Sequence, residues 1–303
     1  MPHLKHLCRV ESMLNRFQEY AGRNQLFSPG DTLIVGLSGG CDSMVLTHLL
    51  IKSGVTVIAA HVNYHLRGEE SDADEKFVRD WCHTNGIEYR VLHASVENEG
   101  GIQETARKAR YEWFRQLRHE LDAKAIAVAH HMNDQAETVL HHLARGTGLK
   151  GAMGMSALNG DVIRPLLEFS RTEIESEARN AGVPFRHDSS NDKDIYTRNL
   201  IRHKVIPNLE QVNPQSVRHI SDYVNLLGQY ASAAEAWCTS WAKSHVISEG
   251  QTLVIPINEL IQCAAPDVIL HHLLGSEYTH SQANEIRKLL HSTTGKHLVL
   301  GNR

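Results

Sequence analysis

Along the first two thirds of the chain, short apolar runs alternate with longer stretches in which apolar positions return every three or four residues. The runs "DTLIVGL" (31–37), "GVTVIAAHV" (54–62), "IEYRVLHA" (87–94) and "AKAIAVAHH" (123–131) are rich in Val, Ile and Ala. They are short and lack a helical period, so they read as buried strands. Between them, 44–53, 70–85 and 103–121 carry the period of a helix with one apolar face. The order β-α-β-α-β-α-β predicts an α/β fold: a mostly parallel, doubly wound sheet with helices on both faces. Further helical patterns follow at 171–181 and 196–205, and the character changes after Pro207 and Pro214. Residues 215–248 read as helix, 251–257 as a short strand and 281–291 as helix again. Two domains are therefore expected, 1–212 and a smaller, mainly helical 213–303.

In open parallel sheets, ligands bind beyond the C-terminal ends of the strands. Three polar clusters fall there: Ser38 to Ser43, His61 to Arg67, and His130 to Glu137. Their convergence on one crevice is the main functional expectation from the pattern alone. If the last cluster is helical, His130, Asp134 and Glu137 stand at i, i+4 and i+7 and share a face. One imidazole and two carboxylates suit a divalent cation, an ammonium group or proton transfer.

Composition excludes more than it assigns. Net charge is −4 over 303 residues, so bulk RNA binding by a basic surface is not expected. Bases do cluster locally, at Lys5 to Arg23, Arg107 to Arg118 and Arg198 to Lys204. The five cysteines form no Cys-x-x-Cys pair, which argues against a disulfide framework, a zinc ribbon or an iron–sulfur site. Twenty-one histidines include adjacent pairs at 130–131, 141–142 and 271–272. Adjacent helical residues point about 100° apart and chelate one ion poorly. No apolar stretch is long enough to cross a membrane and the N-terminus lacks a signal-peptide core, so a cytoplasmic protein without a membrane partner is expected.

The stretch "VGLSGGCDSMVL" (35–46) carries the most chemistry. Gly39 and Gly40 permit a tight turn and close backbone approach to a ligand. The following helix N-terminus offers amides and partial positive charge to phosphate, and Ser38 and Ser43 add hydroxyls. Asp42 would repel phosphate unless a cation lies between, which implies Mg²⁺. The lysine of a Walker motif is absent here, and Gly295-Lys296 lacks the upstream glycine that such a motif needs.

Ser38-Gly39-Gly40-Cys41-Asp42-Ser43 resembles the PP-loop of the N-type ATP pyrophosphatases, which have an adenine nucleotide α-hydrolase-like fold. The resemblance implies that ATP is cleaved between its α- and β-phosphates. Within that superfamily, "HVNYHLRG" (61–68), "ETARKARYEWF" (104–114), "AHHMNDQAETVLHHLARGTGLKGAMGM" (129–155), "RPLL" (164–167) and "DSSNDKDIYTRNLIRHKVIPNL" (188–209) are similar to the tRNA(Ile)-lysidine synthetases. This resemblance implies ligation of L-lysine to the wobble cytidine of an isoleucine tRNA with a CAU anticodon. It implies catalytic roles for Asp42, His130, Asp134, Glu137, Arg110 and Arg202. Ser38 to Ser43, Cys41 included, would bind ATP, and Asp42 and Asp134 would bind Mg²⁺. Asn133 stands where many members of that family carry Asp. A homodimer is left open. The thiolases of the superfamily share the loop but place cysteines to carry sulfur, a pattern missing here.

Overall fold

The computed structural model describes residues 12–66, 68–94, 102–186, 197–249, 252–274, 286 and 288. Arg67, Lys5, residues 188–196 and nearly all of the helix expected at 281–291 lie outside them. The expected strands form the centre of a six-stranded sheet: β1 (Thr32–Gly36), β2 (Thr56–Asn63), β3 (Glu88–His93) and β4 (Ala125–Ala127). With β5 (Leu158–Asn159) and β6 (Val162–Ile163) the order is β3-β2-β1-β4-β6-β5, parallel except for β5. The last two strands have two residues each, too few to show a period, and were not foreseen. β4 is also shorter than its apolar run, because 128–131 leave the sheet to enter the crevice.

Leu33, Ile34 and Val35 are fully buried, as a central parallel strand covered on both faces requires. Their side chains alternate between two apolar clusters. Leu33 and Val35 join Val57, Ala59, Ala125 and Ala127 on one face. Ile34 joins Ile58, Ala60 and Ile126 on the other. The period of two is thus resolved into two cores. The first is covered by α1 (Met13–Arg23), α2 (Cys41–Lys52), α3 (Glu69–Thr84) and α7 (Arg171–Ala181), through Phe17, Leu46, Leu49, Val78 and Ile174 among others. The second is covered by α4 (Ile102–Glu120) through Tyr111, Phe114 and Leu117. Truncating a fully buried Leu33 to Ala is expected to cost about 2–5 kcal/mol.

Three further helices complete this part: α5 (Met132–Ala144), α8 (Thr197–Leu200) and α9 (Ile206–Val212), the last two joined by a π-helical turn at Ile201–Val205. The chain divides into two compact units, residues 1–145 with 154–222, and 146–153 with 223–303. The boundary expected at 212–213 falls just ahead of α10 (Ser216–His245), which runs without a break through residue 222. The second unit contains α6 (Leu149–Ala152), the later part of α10, a hairpin of β7 (Ile247–Glu249) and β8 (Thr252–Val254), α11 (Ile257–Gln262) and α12 (Pro266–Leu274). Its own core is built on Cys238, Trp241, Leu260, Ile269 and Leu270. No helix among the described residues is long and apolar enough to cross a membrane.

Candidate active site

At the C-terminal ends of β1, β2 and β4 the first unit opens into a crevice of about 1030 Å³. All three polar clusters reach it, through Ser38 to Ser43, His61 to Tyr64 with Leu66, and His130, His131 and Asp134; Glu137 is not among its lining residues. Arg110 and Arg202 also line it.

The loop between β1 and α2 is braced from within. Ser43 Oγ accepts the Ser38 N–H at 3.2 Å and donates to the Gly40 carbonyl at 3.0 Å, with Ser38 Oγ at 3.1 Å. Gly39 has φ +90°, and a Cβ there would meet Val78 Cγ2 at 3.0 Å. Only glycine fits that turn without strain. Helix α2 then starts at Cys41 with Gly40 as its cap and no side chain capping it. Its first-turn amides are free of that competition, as an anion site requires. Below the loop, His61 Nδ1 donates to the Leu37 carbonyl at 2.8 Å, and burial holds this imidazole below its ordinary value. Burial, with Asp42 beside it, pushes the Cys41 thiol up to about 11. Cys41 therefore contributes its backbone to the loop and remains a protonated thiol.

Opposite the loop stands the start of α5, and here the structure corrects the expected helical face. His130 precedes the helix; the N-cap is His131. Its Nδ1 accepts the Asp134 N–H at 3.4 Å while Asp134 Oδ2 accepts the His131 N–H at 3.0 Å, a capping box. The proton of His131 then sits on Nε2, which lies 3.6 Å from Asp42 Oδ2 and 3.6 Å from Asp134 Oδ2. Burial disfavours its charge, but Asp134, Asp42 and Glu137 outweigh that and raise its pKa. Sequence reasoning missed His131. Its signal was the spacing His131-x-x-Asp134 at a strand-to-helix junction, a capping box with an unusual cap. His130 instead accepts from Arg164 Nε at 3.3 Å, and burial with the surrounding arginines pushes it down to about 3. Asn133 Oδ1 accepts the Arg171 N–H at 3.0 Å, holding α7 to α5.

Asp134 and Glu137 do share a face, and two guanidinium groups meet them there. Arg202 donates to Glu137 through Nε at 2.6 Å and Nη2 at 3.0 Å, and to Asp134 at 3.2 Å. Arg198 donates to Glu137 at 2.9 Å and to Asp134 at 3.3 Å. Glu137 is 1 % exposed, so its charge depends on these partners. Burial disfavours ionised Asp134, yet His131, His130 and Arg198 hold its pKa low. Both arginines are here the counterions of the two acids. Arg110 lies with its guanidinium 5.5 Å from the Tyr111 ring centroid, at the crevice wall. No group of three or more His, Cys, Asp or Glu among the described residues is arranged to hold a metal by itself.

Residues 9–209 match the PP-loop domain family. Over 297 residues the chain is 37% identical to a tRNA(Ile)-lysidine synthase of Bacteroides thetaiotaomicron, covering 94% of this chain and 67% of that one. The chain belongs to the PP-loop tRNA(Ile)-lysidine synthase family. A second synthase of this name, from Parabacteroides distasonis, is 37% identical over 294 residues, covering 94% of this chain and 66% of its own. The chain thus spans about two thirds of the length of these synthases. Among solved structures, the U34-tRNA thiolase NcsA from Methanococcus maripaludis with its [4Fe-4S] cluster superposes with a TM-score of 0.58. It is 21% identical and covers 71% of this chain and 78% of its own, a likeness of fold. A PP-loop domain uses ATP.

Proposed function

We propose that this chain joins L-lysine to C2 of the wobble cytidine of tRNA(Ile) with a CAU anticodon, consuming ATP and releasing AMP and pyrophosphate. The observation that carries the reading is the pairing of two opposed surfaces in one crevice. On one side uncapped helix amides suit phosphate oxygens; on the other Asp134 and Arg202 line the crevice, with Glu137 and Arg198 joined to them by hydrogen bonds. Carboxylates that bind guanidinium groups here also suit the ammonium of lysine.

In the first step cytidine O2 attacks the α-phosphorus and pyrophosphate leaves toward the amides of α2. Arg110 and Arg202 suit the charge that gathers on the phosphoryl oxygens. Asp42 and Asp134, flanking His131, would hold Mg²⁺ together with phosphate oxygens, and the ion would supply charge neutralisation on the leaving group. In the second step the lysine ε-amine forms a bond to C2, the C2–O bond to AMP breaks, and a proton leaves the nitrogen. At its ordinary pKa of about 10.4 that amine is almost wholly protonated at neutral pH. Asp134 or Glu137 is the acceptor, and both must first release an arginine. The wobble base is reachable because an anticodon loop can splay it out. The domain beyond residue 212 is taken to contact the tRNA, in the cytoplasm.

The test is incorporation of radiolabelled lysine into transcripts with CAU anticodons, isoleucine against methionine. Label in the isoleucine transcript, with pyrophosphate release that depends on it, is the expected result. Equal label in both, or none, overturns the reading. A sulfur-transfer activity, which the fold alone would permit, is disfavoured by Cys82, buried with its thiol pushed up to about 12, and by the protonated Cys41.

A further inference from the structure

Arg164 follows β6 directly and is only 6 % exposed. Its backbone N–H donates to the Ala157 carbonyl at 2.8 Å, and its Nη1 to the Ser156 carbonyl at 2.9 Å. Its carbonyl accepts the Leu167 N–H at 3.2 Å, and its Nε donates to His130 Nδ1 at 3.3 Å. Among the described residues, the ionisable groups acting on it are Tyr111, Arg107 and Tyr20, another cation and two phenols, with no carboxylate. A buried guanidinium without an acidic partner is costly, and an apolar side chain of the same length would pack there more cheaply. What this cation touches in the crevice is His130.

A guanidinium has only donors and stays protonated in proteins. The Nδ1 atom that faces it must therefore present a lone pair. A neutral imidazole carries one proton, which then sits on Nε2. Charging the ring would set Nδ1–H against the Nε–H of Arg164. Around the ring Asp134 favours the cation, while Arg164, Arg107 and Arg198 oppose it.

We propose that Arg164 is a positioning residue that fixes His130 as a neutral Nε2–H donor to an oxygen of the bound substrate. The oxygen is a hydrogen-bond acceptor of the kind that both a phosphoryl group and the cytosine carbonyl present. His130 on this account donates a hydrogen bond and does not shuttle a proton. The proposal rests on the lysidine reading for the identity of the substrate, but the tautomer does not depend on it.

The first experiment is long-range ¹H–¹⁵N spectroscopy of the histidine-labelled wild-type protein, with the His130 signals assigned by their loss in His130→Gln. Expected is a ring protonated on Nε2 alone, unchanged from about pH 6 to 8, where an ordinary imidazole changes charge. A ring protonated on Nδ1, or charged at neutral pH, overturns the proposal. The second experiment compares Arg164→Met in two backgrounds. In the wild type it should lower lysine incorporation about ten- to a hundredfold, the loss of an aligned charge-assisted contact. In His130→Ala it should add no more than about twofold, because the two residues act as one unit. Equal losses in both backgrounds would make Arg164 merely structural. Binding of a non-hydrolysable ATP analogue without tRNA separates the oxygen sources: weakened binding in His130→Ala identifies a phosphoryl oxygen, and unchanged binding with lost turnover the base carbonyl. If Arg164→Met does not fold, Arg164→Lys and the wild-type spectrum decide. A wild type that incorporates no lysine refutes the lysidine reading and leaves the tautomer result standing.

Discussion

The two walls of the crevice are made of different materials. The phosphate loop is made of backbone: its hydroxyls brace one another, its glycine turns at φ +90°, and the amides of α2 face the opening. Its residues are contiguous from 38 to 43. The opposite wall is made of long side chains. Arg198 and Arg202 reach Asp134 and Glu137 from more than sixty positions away in sequence. The first wall is braced by its own hydrogen bonds, and its one ion-pair partner among the described residues is the His131 imidazole 3.6 Å from Asp42. The second is an ion-pair knot, which on the proposed reading must open before its acids take lysine. Pre-organised dipoles cost nothing to reorganise at the moment of reaction, whereas a knot of paired charges sets an energetic threshold to each substrate it admits.

Asp42→Ala tests the first wall most severely. It removes the loop's only carboxylate, and tRNA-dependent pyrophosphate release should fall at least about a hundredfold, the scale for losing one transition-state charge contact. Circular dichroism should remain that of the wild type. Near-normal release from the folded variant would remove Asp42 from the chemistry.

Glu137→Gln addresses the second wall and should raise the lysine KM about ten- to a hundredfold while the ATP KM moves little. An unchanged lysine KM at saturating tRNA would show that the knot is structural only. Its partner variant, Arg202→Ala, leaves Glu137 with Arg198 alone and should lower unfolding free energy by about 2–4 kcal/mol. Chemical denaturation reads this directly, and a loss below half a unit would mean that water replaces the guanidinium freely.

Gly39→Ala should weaken ATP binding by about tenfold, from roughly 1–3 kcal/mol of backbone strain and the contact with Val78. Calorimetry with ATP checks it; unchanged affinity would mean that the turn is adaptable and the loop no more pre-organised than the knot.

A smaller effect calibrates the ion-pair argument away from the crevice. Glu173 caps α7 through Ser170 and pairs with Arg16 at 2.7 Å. Burial opposes its charge, but the Ser170 and Arg16 hydrogen bonds hold its pKa low. A carboxylate depressed on folding contributes stability above its unfolded pKa, about 4.3, and loses it as pH falls through the lower folded value. Glu173→Gln should therefore cost about 1 kcal/mol near neutrality, with the gap closing below about pH 4 and pyrophosphate release unaffected. A gap that persists unchanged into acid would show that shape, and not charge, is lost.

The contrast between the walls also explains what the sequence revealed. Strands β1 to β3, helices α2 to α4 and the loop were legible because each is a local pattern. The helix read around 171–181 is found at Arg171–Ala181, where Ser170 and Glu173 form a capping box and Gly182 ends it. The β5–β6 hairpin was not legible, because two-residue strands have no period. The partners of Asp134 and Glu137 were not legible either, since a guanidinium near a motif suggests phosphate until the fold shows which acid it meets. His130 was placed on the helical face because the residues ahead of α5 do not mark its first turn; the helix begins at Met132 with His131 as its cap.

The π-helical turn at Ile201–Val205 has a consequence for heredity. Ile201 and Ile206 are five apart, yet both are buried in the cluster with Met132, Ala136 and Val217. In an α-helix five steps rotate by about 140°, so an ordinary turn would send one of them to solvent. The wider turn absorbs one additional residue and lets both apolar side chains stay inside while Arg202 still reaches Glu137. A mutation of letter at 203 or 204 leaves that phase intact; a deletion of one codon does not. The segment should therefore tolerate spelling changes far better than changes in length.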